Sequence, residues 1–164
     1  MRFDYRSDPY GRECLALAQQ SGADVPFGAL LVKDRRIIGR GRTRRGTPED
    51  RKFVSHVTYY ICAERAAIVD ALQKGEDVRG GEIYVLGFVR NGKRKGKLTS
   101  RKSRVFHCRA CPPSFQRFGI SVCVPLFSGW SRMSPEEVIE RVKRYHPNGY
   151  WRRFANYRKE KTRD

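Results

Sequence analysis

The 164-residue sequence predicts an α/β protein, a three-layer α/β/α sandwich on a mixed sheet of about five strands. Three observations carry that prediction. Segments with apolar residues at helical spacing alternate with short apolar runs of strand length, an order that covers a sheet with helices on both faces. The length suits one domain, 1–164, with its own core. The five cysteines are odd in number and follow an N-terminus, MRFDYRSDPY, without an apolar leader, so reduced thiols with metal or catalytic roles are expected rather than a disulfide framework.

The elements follow in order. PYGRECLALAQQS, 9–21, has the spacing of a first helix. VPFGALLVKDRRIIGRG reads as two strands, Phe27 to Val32 and Ile37 to Gly41, joined by a tight polar turn at Lys33 to Arg36. Residues 42–58 lack periodicity and are expected to form a loop. It leads to a helix at about 61–74 whose buried face is Ile61, Ala66, Ile68, Val69 and Leu72, ended by Gly75. GEIYVLGFV, 81–89, is an apolar strand, and residues 90–104 carry eight basic residues and no acid, as a solvated loop does. FHCRACPPSFQRFG reads as a short helix opening at its cysteines, because prolines fit a first turn but not a helix interior. ISVCVPLF is a strand, and SPEEVIERVKRY a helix with Ser134 as N-cap and Glu137 closing a capping box. YWRRFANYRKEK reads as a basic, aromatic terminal helix within an extension over 141–164.

A net charge of +18, from 35 Lys and Arg against 17 Asp and Glu, exceeds what solubility needs. A polyanion is the partner this implies, nucleic acid ahead of an anionic membrane. No apolar stretch is long enough to span a bilayer, and a cytoplasmic protein is expected.

The chemistry concentrates in three cysteines. Cys62 opens one helix and the pair Cys108 and Cys111 opens another. A C-x-x-C turn can offer two thiolates to one ion, and a third from a neighbouring helix leaves a fourth position free, the pattern of catalytic zinc. A redox pair or a closed four-ligand structural site explains the C-x-x-C equally well. Glu64, two places after Cys62, changes the balance. From a first helical turn it can lean over the open side of a metal and relay a proton, although capping the helix is a plainer use for it.

CAE followed by CRAC, set between strands in this order, resembles the zinc signature of the cytidine deaminase superfamily. VPFGALLV is similar to the F-P-V-G-A-A-L strand of the Cys-ligated nucleoside enzymes, and ICAERAAI to their I-C-A-E-R-T-A-I. The likeness covers residues 25–125, with gaps. It implies a cytidine deaminase-like fold, Zn2+ held by Cys62, Cys108 and Cys111, Glu64 as proton shuttle, and Ala63 against the base. Arg65 then lies beside the thiolates and tempers their charge. The implied reaction is hydrolytic attack at C4 of cytosine with loss of ammonia. A homodimer or homotetramer is implied by the same resemblance.

Three departures from the family pattern bear on the substrate. Where those enzymes hold ribose with N-x-E, this chain has GRGRTRRG, which puts Arg42, Thr43 and Arg44 at the sugar positions, and cations suit phosphates. His107 replaces the usual Pro before Cys108. It either packs locally, contacts the flipped base or its phosphate, or adds a fourth metal ligand. Basic runs are the third departure: Arg45 within 35–52; Lys93, Arg94, Lys95, Lys97, Arg101, Lys102 and Arg104 in the 90–104 loop; Arg152 and Arg153 in the tail. The first two runs are placed to line a channel for a strand, while Trp151 and Phe154 suit packing on the sheet better than base stacking. Buried structural roles are expected for Cys14 and Cys123.

The leading expectation is a zinc-dependent C-to-U deaminase acting on a polynucleotide, RNA before DNA and tRNA within RNA. Two other readings compete with it: a deaminase of free cytidine, deoxycytidine or a nucleotide, and a non-catalytic nucleic-acid-binding module with structural zinc.

Overall fold

The structure, a computed structural model, describes residues 2–23, 26–57, 59–90, 93, 95–98 and 110–145. Helix α1 spans Pro9–Gln19 and starts where the sequence places a proline after an aspartate: the Asp8 carboxylate accepts from Gly11 N–H at 2.8 Å and from Trp130 Nε1 at 3.0 Å. That N-cap satisfies an orphan amide and fixes the helix to the far edge of the sheet. Strands β1 (Phe27–Lys33) and β2 (Arg36–Arg42) form a hairpin whose two turn residues, Asp34 and Arg35, both have positive φ, 49° and 62°. Such a turn matches the right-handed twist of the strands.

The segment expected to be a plain loop contains β3 (Arg44–Arg45) and a 3-10 turn at Asp50–Lys52, and β3 pairs with β4 (Tyr60–Ile61). Helix α2 then begins at Ala63 and ends at Gln73, followed by Gly75 at φ 75°. Residues 60–61, expected near the start of the helix, are therefore extended. Strand β5 is Glu82–Gly87, α3 is Pro112–Phe118, β6 is Ser121–Leu126, β7 is Gly129–Met133, and α4 is Pro135–Tyr145. β7 is an addition to the expected elements. The capping box of α4 is present in both directions, Ser134 N–H to Glu137 Oε2 at 2.8 Å and Glu137 N–H to Ser134 Oγ at 3.1 Å. The described part of the basic loop folds back on the end of β5, where Phe88 pairs with Leu98 and Val89 N–H donates to the Lys97 carbonyl. The expected terminal helix, with Trp151 and Phe154, lies outside the described residues.

The main sheet has the order β2-β1-β5-β6-β7, with β5 and β6 parallel and the other pairs antiparallel. Side chains alternate across it. Ala29, Leu31, Ile83, Val85, Val122 and Val124 face a core shared with α2, α3 and α4, whereas Leu30, Val32 and Leu86 join Cys14 of α1 on the opposite side. Helices on both faces make the α/β/α sandwich that the alternation of elements predicts. Each fully buried Leu or Ile adds roughly 1.5–3 kcal/mol, so the two faces together drive folding. Cys14 and Cys123 are buried as expected, with the Cys14 thiol 3.5 Å from the Tyr84 carbonyl.

One contact places the site. Gly41 of β2 lies so close to α2 that a Cβ there would sit 2.2 Å from the Ala63 carbonyl oxygen and 2.3 Å from the Ala67 nitrogen. Only glycine permits that approach, and it presses the end of β2 against the first turn of α2.

Candidate metal centre and active site

Cys62 is the N-cap of α2, in extended conformation with its carbonyl accepting from Ala66 N–H at 2.9 Å. Glu64 is the second residue inside the helix and is 5% exposed. Cys111 caps α3, where Pro112 and Pro113 take the positions at which a missing N–H costs nothing. Thus both cysteines stand at helix starts, and their helices pack on the same face of the sheet.

The consequence is a cluster. The sulfurs of Cys62 and Cys111 and a Glu64 carboxylate oxygen all lie within 4.8 Å of one another. Among the described residues this is the one group of three such side chains near enough to share an ion. Two soft thiolates with a carboxylate, mostly buried, are a donor set that fits zinc. Cys108, three places before Cys111, lies outside the described residues, as does His107.

Arg65 backs the cluster. It is 2% exposed, with Nη1 donating to the Ser55 carbonyl at 2.8 Å and Nη2 3.8 Å from Cys62 Sγ. A buried guanidinium in that position favours the thiolate form of its neighbour. Burial, reinforced by the adjacent Cys62 sulfur, pushes the Glu64 carboxyl up to about 8, with its own backbone amide and Arg65 opposing the shift. A cation held between the thiolates would act in the same direction as Arg65.

Around this centre the remaining residues divide. Ala63 is fully buried at the first helical position. Arg42 ends β2 and donates to Oε1 of Gln20, the C-cap of α1, at 3.2 Å, while Thr43 N–H donates to the Phe27 carbonyl at 3.1 Å. Arg44 is committed within the chain: its two Nη atoms each donate to a carboxylate oxygen of Asp50 at 2.8 Å, and Asp50 is 1% exposed. Both ends of its fork are thus engaged by one carboxylate, while the side chain stays one-third exposed. Arg45 is exposed and lies over the Tyr59 ring, 4.6 Å from its centre. Lys93, Lys95 and Lys97 are exposed on the basic turn, and Arg94, Arg101, Lys102, Arg104, Arg152 and Arg153 lie outside the described residues.

Reasoning from sequence alone passed over Asp50, the Ser55 carbonyl and the pair Tyr59 and Tyr60. The first two gave no signal, since one acid among many charges does not announce its burial and a backbone carbonyl is not encoded by residue type. The tyrosines did give one, as adjacent aromatics separated from the CAE motif by Ile61 alone.

Comparisons with known proteins agree with this architecture. The chain is similar to the crystal structure of a cytidine deaminase from Burkholderia pseudomallei, at 18% identity, with 77% of this chain and 91% of that one covered and a TM-score of 0.51. That likeness establishes the fold. It also matches a diaminohydroxyphosphoribosylaminopyrimidine deaminase/5-amino-6-(5-phosphoribosylamino)uracil reductase from Thermotoga maritima at 26% identity, covering 72% of this chain and 28% of that one, with a TM-score of 0.42. A search of the curated proteins finds no match. Residues 6–126, which include the metal-site cluster and all of the sheet but β7, match the model of the cytidine and deoxycytidylate deaminase zinc-binding region, and the chain belongs to that deaminase family.

Proposed function

We propose that the chain is a zinc-dependent hydrolase that converts cytosine to uracil in a polynucleotide, RNA first and tRNA within that class. The observation that carries this reading is the buried Glu64 carboxyl grouped with the Cys62 and Cys111 sulfurs within 4.8 Å. Cys62 and Cys111, with Cys108 completing the C-x-x-C, would hold the ion, which when bound supplies Lewis-acid activation of water at neutral pH. Glu64 moves the proton. It accepts one from the attacking water and delivers it to the departing amino group, so that cytosine and water leave as uracil and ammonia. The Ala63 backbone orients the base, and Arg65 offsets the charge that the thiolates bring into a buried turn.

The charge of +18 supports a polymeric substrate, as do the exposed Arg45, Lys93, Lys95 and Lys97. With Arg44 paired to Asp50, Arg45 is the exposed cation of β3 offered to a phosphate. The test is turnover by the zinc-loaded protein on a cytidine-containing RNA and on free cytidine, deoxycytidine and cytidine monophosphate. Uridine formed in the RNA with the nucleosides untouched is the expected result; turnover of cytidine with the RNA unchanged overturns the polymer claim. A second reading is a nucleotide whose phosphate meets Arg42, the last residue of β2 and the next after Gly41. Faster turnover of the monophosphate than of either RNA or cytidine would select it.

A further inference from the structure

We propose that Tyr59, Tyr60 and Arg45 form a stacking platform for the unpaired nucleobase next to the target base in a single strand of RNA. The proposal rests on the polynucleotide reading above.

The pairing of β3 with β4 creates two faces. Arg44 pairs with Ile61 and Arg45 with Tyr60, and directly opposed residues of an antiparallel pair project to the same side. Ile61 is fully buried and Arg44 reaches the buried Asp50, so that pair faces the core. Arg45 and Tyr60 consequently face solvent. Tyr60 remains 49% exposed and Tyr59 58% exposed. Among the described residues only three large apolar side chains are exposed to that degree, and two of them stand here.

The arrangement of the three side chains is ordered. The rings of Tyr59 and Tyr60 meet edge to face with centres 4.8 Å apart. Arg45 lies over the Tyr59 ring and donates from Nη2 to its hydroxyl. Two flat apolar surfaces and a planar cation, held together without burial, match a nucleobase and its phosphate. The nearby 3-10 turn adds exposed Arg51 and Lys52, further cations for the phosphates of a strand. Position completes the argument: Tyr60 is two residues before Cys62, so a base stacked on it lies at most a few nucleotides from one held at the cluster.

The test uses the full-length zinc-loaded protein and a single-stranded RNA of about a dozen nucleotides carrying one cytidine flanked by 2-aminopurine, whose fluorescence is quenched on stacking. Wild-type protein is expected to quench the probe on binding. The double variant Tyr59→Ala/Tyr60→Ala, which removes exposed rings and leaves the core intact, is expected to lose the quenching and bind roughly ten- to a hundredfold more weakly. Tyr59→Phe/Tyr60→Phe should retain both. A double alanine variant that binds and quenches like wild type overturns the platform while leaving the polynucleotide reading in place. A phenylalanine variant as weak as the alanine one also overturns it, since the hydroxyls rather than the rings would then be responsible. Wild-type protein that does not bind the RNA at all overturns both.

Discussion

Arg44 and Glu64 show how burial decides what a charged side chain can do. Burial alone would raise the Asp50 carboxyl, but the Arg44 guanidinium, with the amide and hydroxyl of Thr47, outweighs it and holds the group below the usual carboxylate range. Arg44→Gln leaves that carboxylate buried without its cation and should cost about 3 kcal/mol, the low end for a broken buried pair because Arg44 is one-third exposed. Because the folded-state value is depressed, the stabilisation is present above the unfolded carboxyl value of about 4 and is lost as pH falls through the folded one. Thermal melts should accordingly show a gap between wild type and Arg44→Gln at neutral pH that narrows below about pH 4. Glu64→Gln is the complementary case, since it keeps the shape and removes the titratable proton. Turnover should fall by roughly 10²–10⁴-fold, with zinc content by elemental analysis and melting temperature close to those of wild type. Full activity in this variant would remove Glu64 from the proton path.

Strand β2 meets helix α2 through its own Gly39 and Gly41, which lie against Ala63, Ala66, Ala67 and Ala71, rather than through large side chains. Gly41→Ala would drive a methyl into the Ala63 carbonyl, and neither backbone can yield without moving the turn that carries Cys62 and Glu64. A loss of about 2 kcal/mol or more, with weaker zinc retention, is the expected outcome in denaturation and metal-content measurements. Gly22→Ala, at a glycine with no atom within 4 Å of the added methyl, is the neutral control. At this scale the sequence was legible where periodicity was strong: both long strands of the hairpin, α1, α2, β5, β6 and the capping box of α4 are where their patterns put them. β7 was not, because Gly129–Met133 mixes Trp130 and Met133 with Ser131 and Arg132 on an edge strand, where one side needs no apolar residue. The two-residue strands β3 and β4 are too short for any period to register. Of the site, CAE and C-x-x-C announced themselves by spacing, whereas the commitment of Arg44 to Asp50 depends on a fold-back that residue types do not encode.

Over the whole molecule, charge sets the long-range behaviour. Among the described residues no helix is long and apolar enough to cross a membrane. A chain carrying +18 that neutralises about five phosphates of a single strand should show a log–log slope of affinity against salt of about −3.5, or roughly a hundredfold loss between 50 and 200 mM. Filter-binding or anisotropy titrations at several salt concentrations would measure it, and a flat salt dependence would place the basic excess elsewhere than on the nucleic-acid contact.

Cys62 and Cys111 are about fifty positions apart, and the chain between them includes α2, β5 and the first part of the crossover to the parallel strand β6. An ion held by both sulfurs is therefore a reversible clasp that ties the crossover to α2 by binding the folded chain alone, whereas a covalent link persists in the unfolded chain and restricts it. Unlike a covalent link, its strength follows supply: stability should climb by about 1.4 kcal/mol for each tenfold rise in free zinc above the dissociation constant. Melting temperature measured in zinc buffers reads this directly, and the same coupling means that zinc scarcity would cost the protein its α3 anchorage as well as its chemistry.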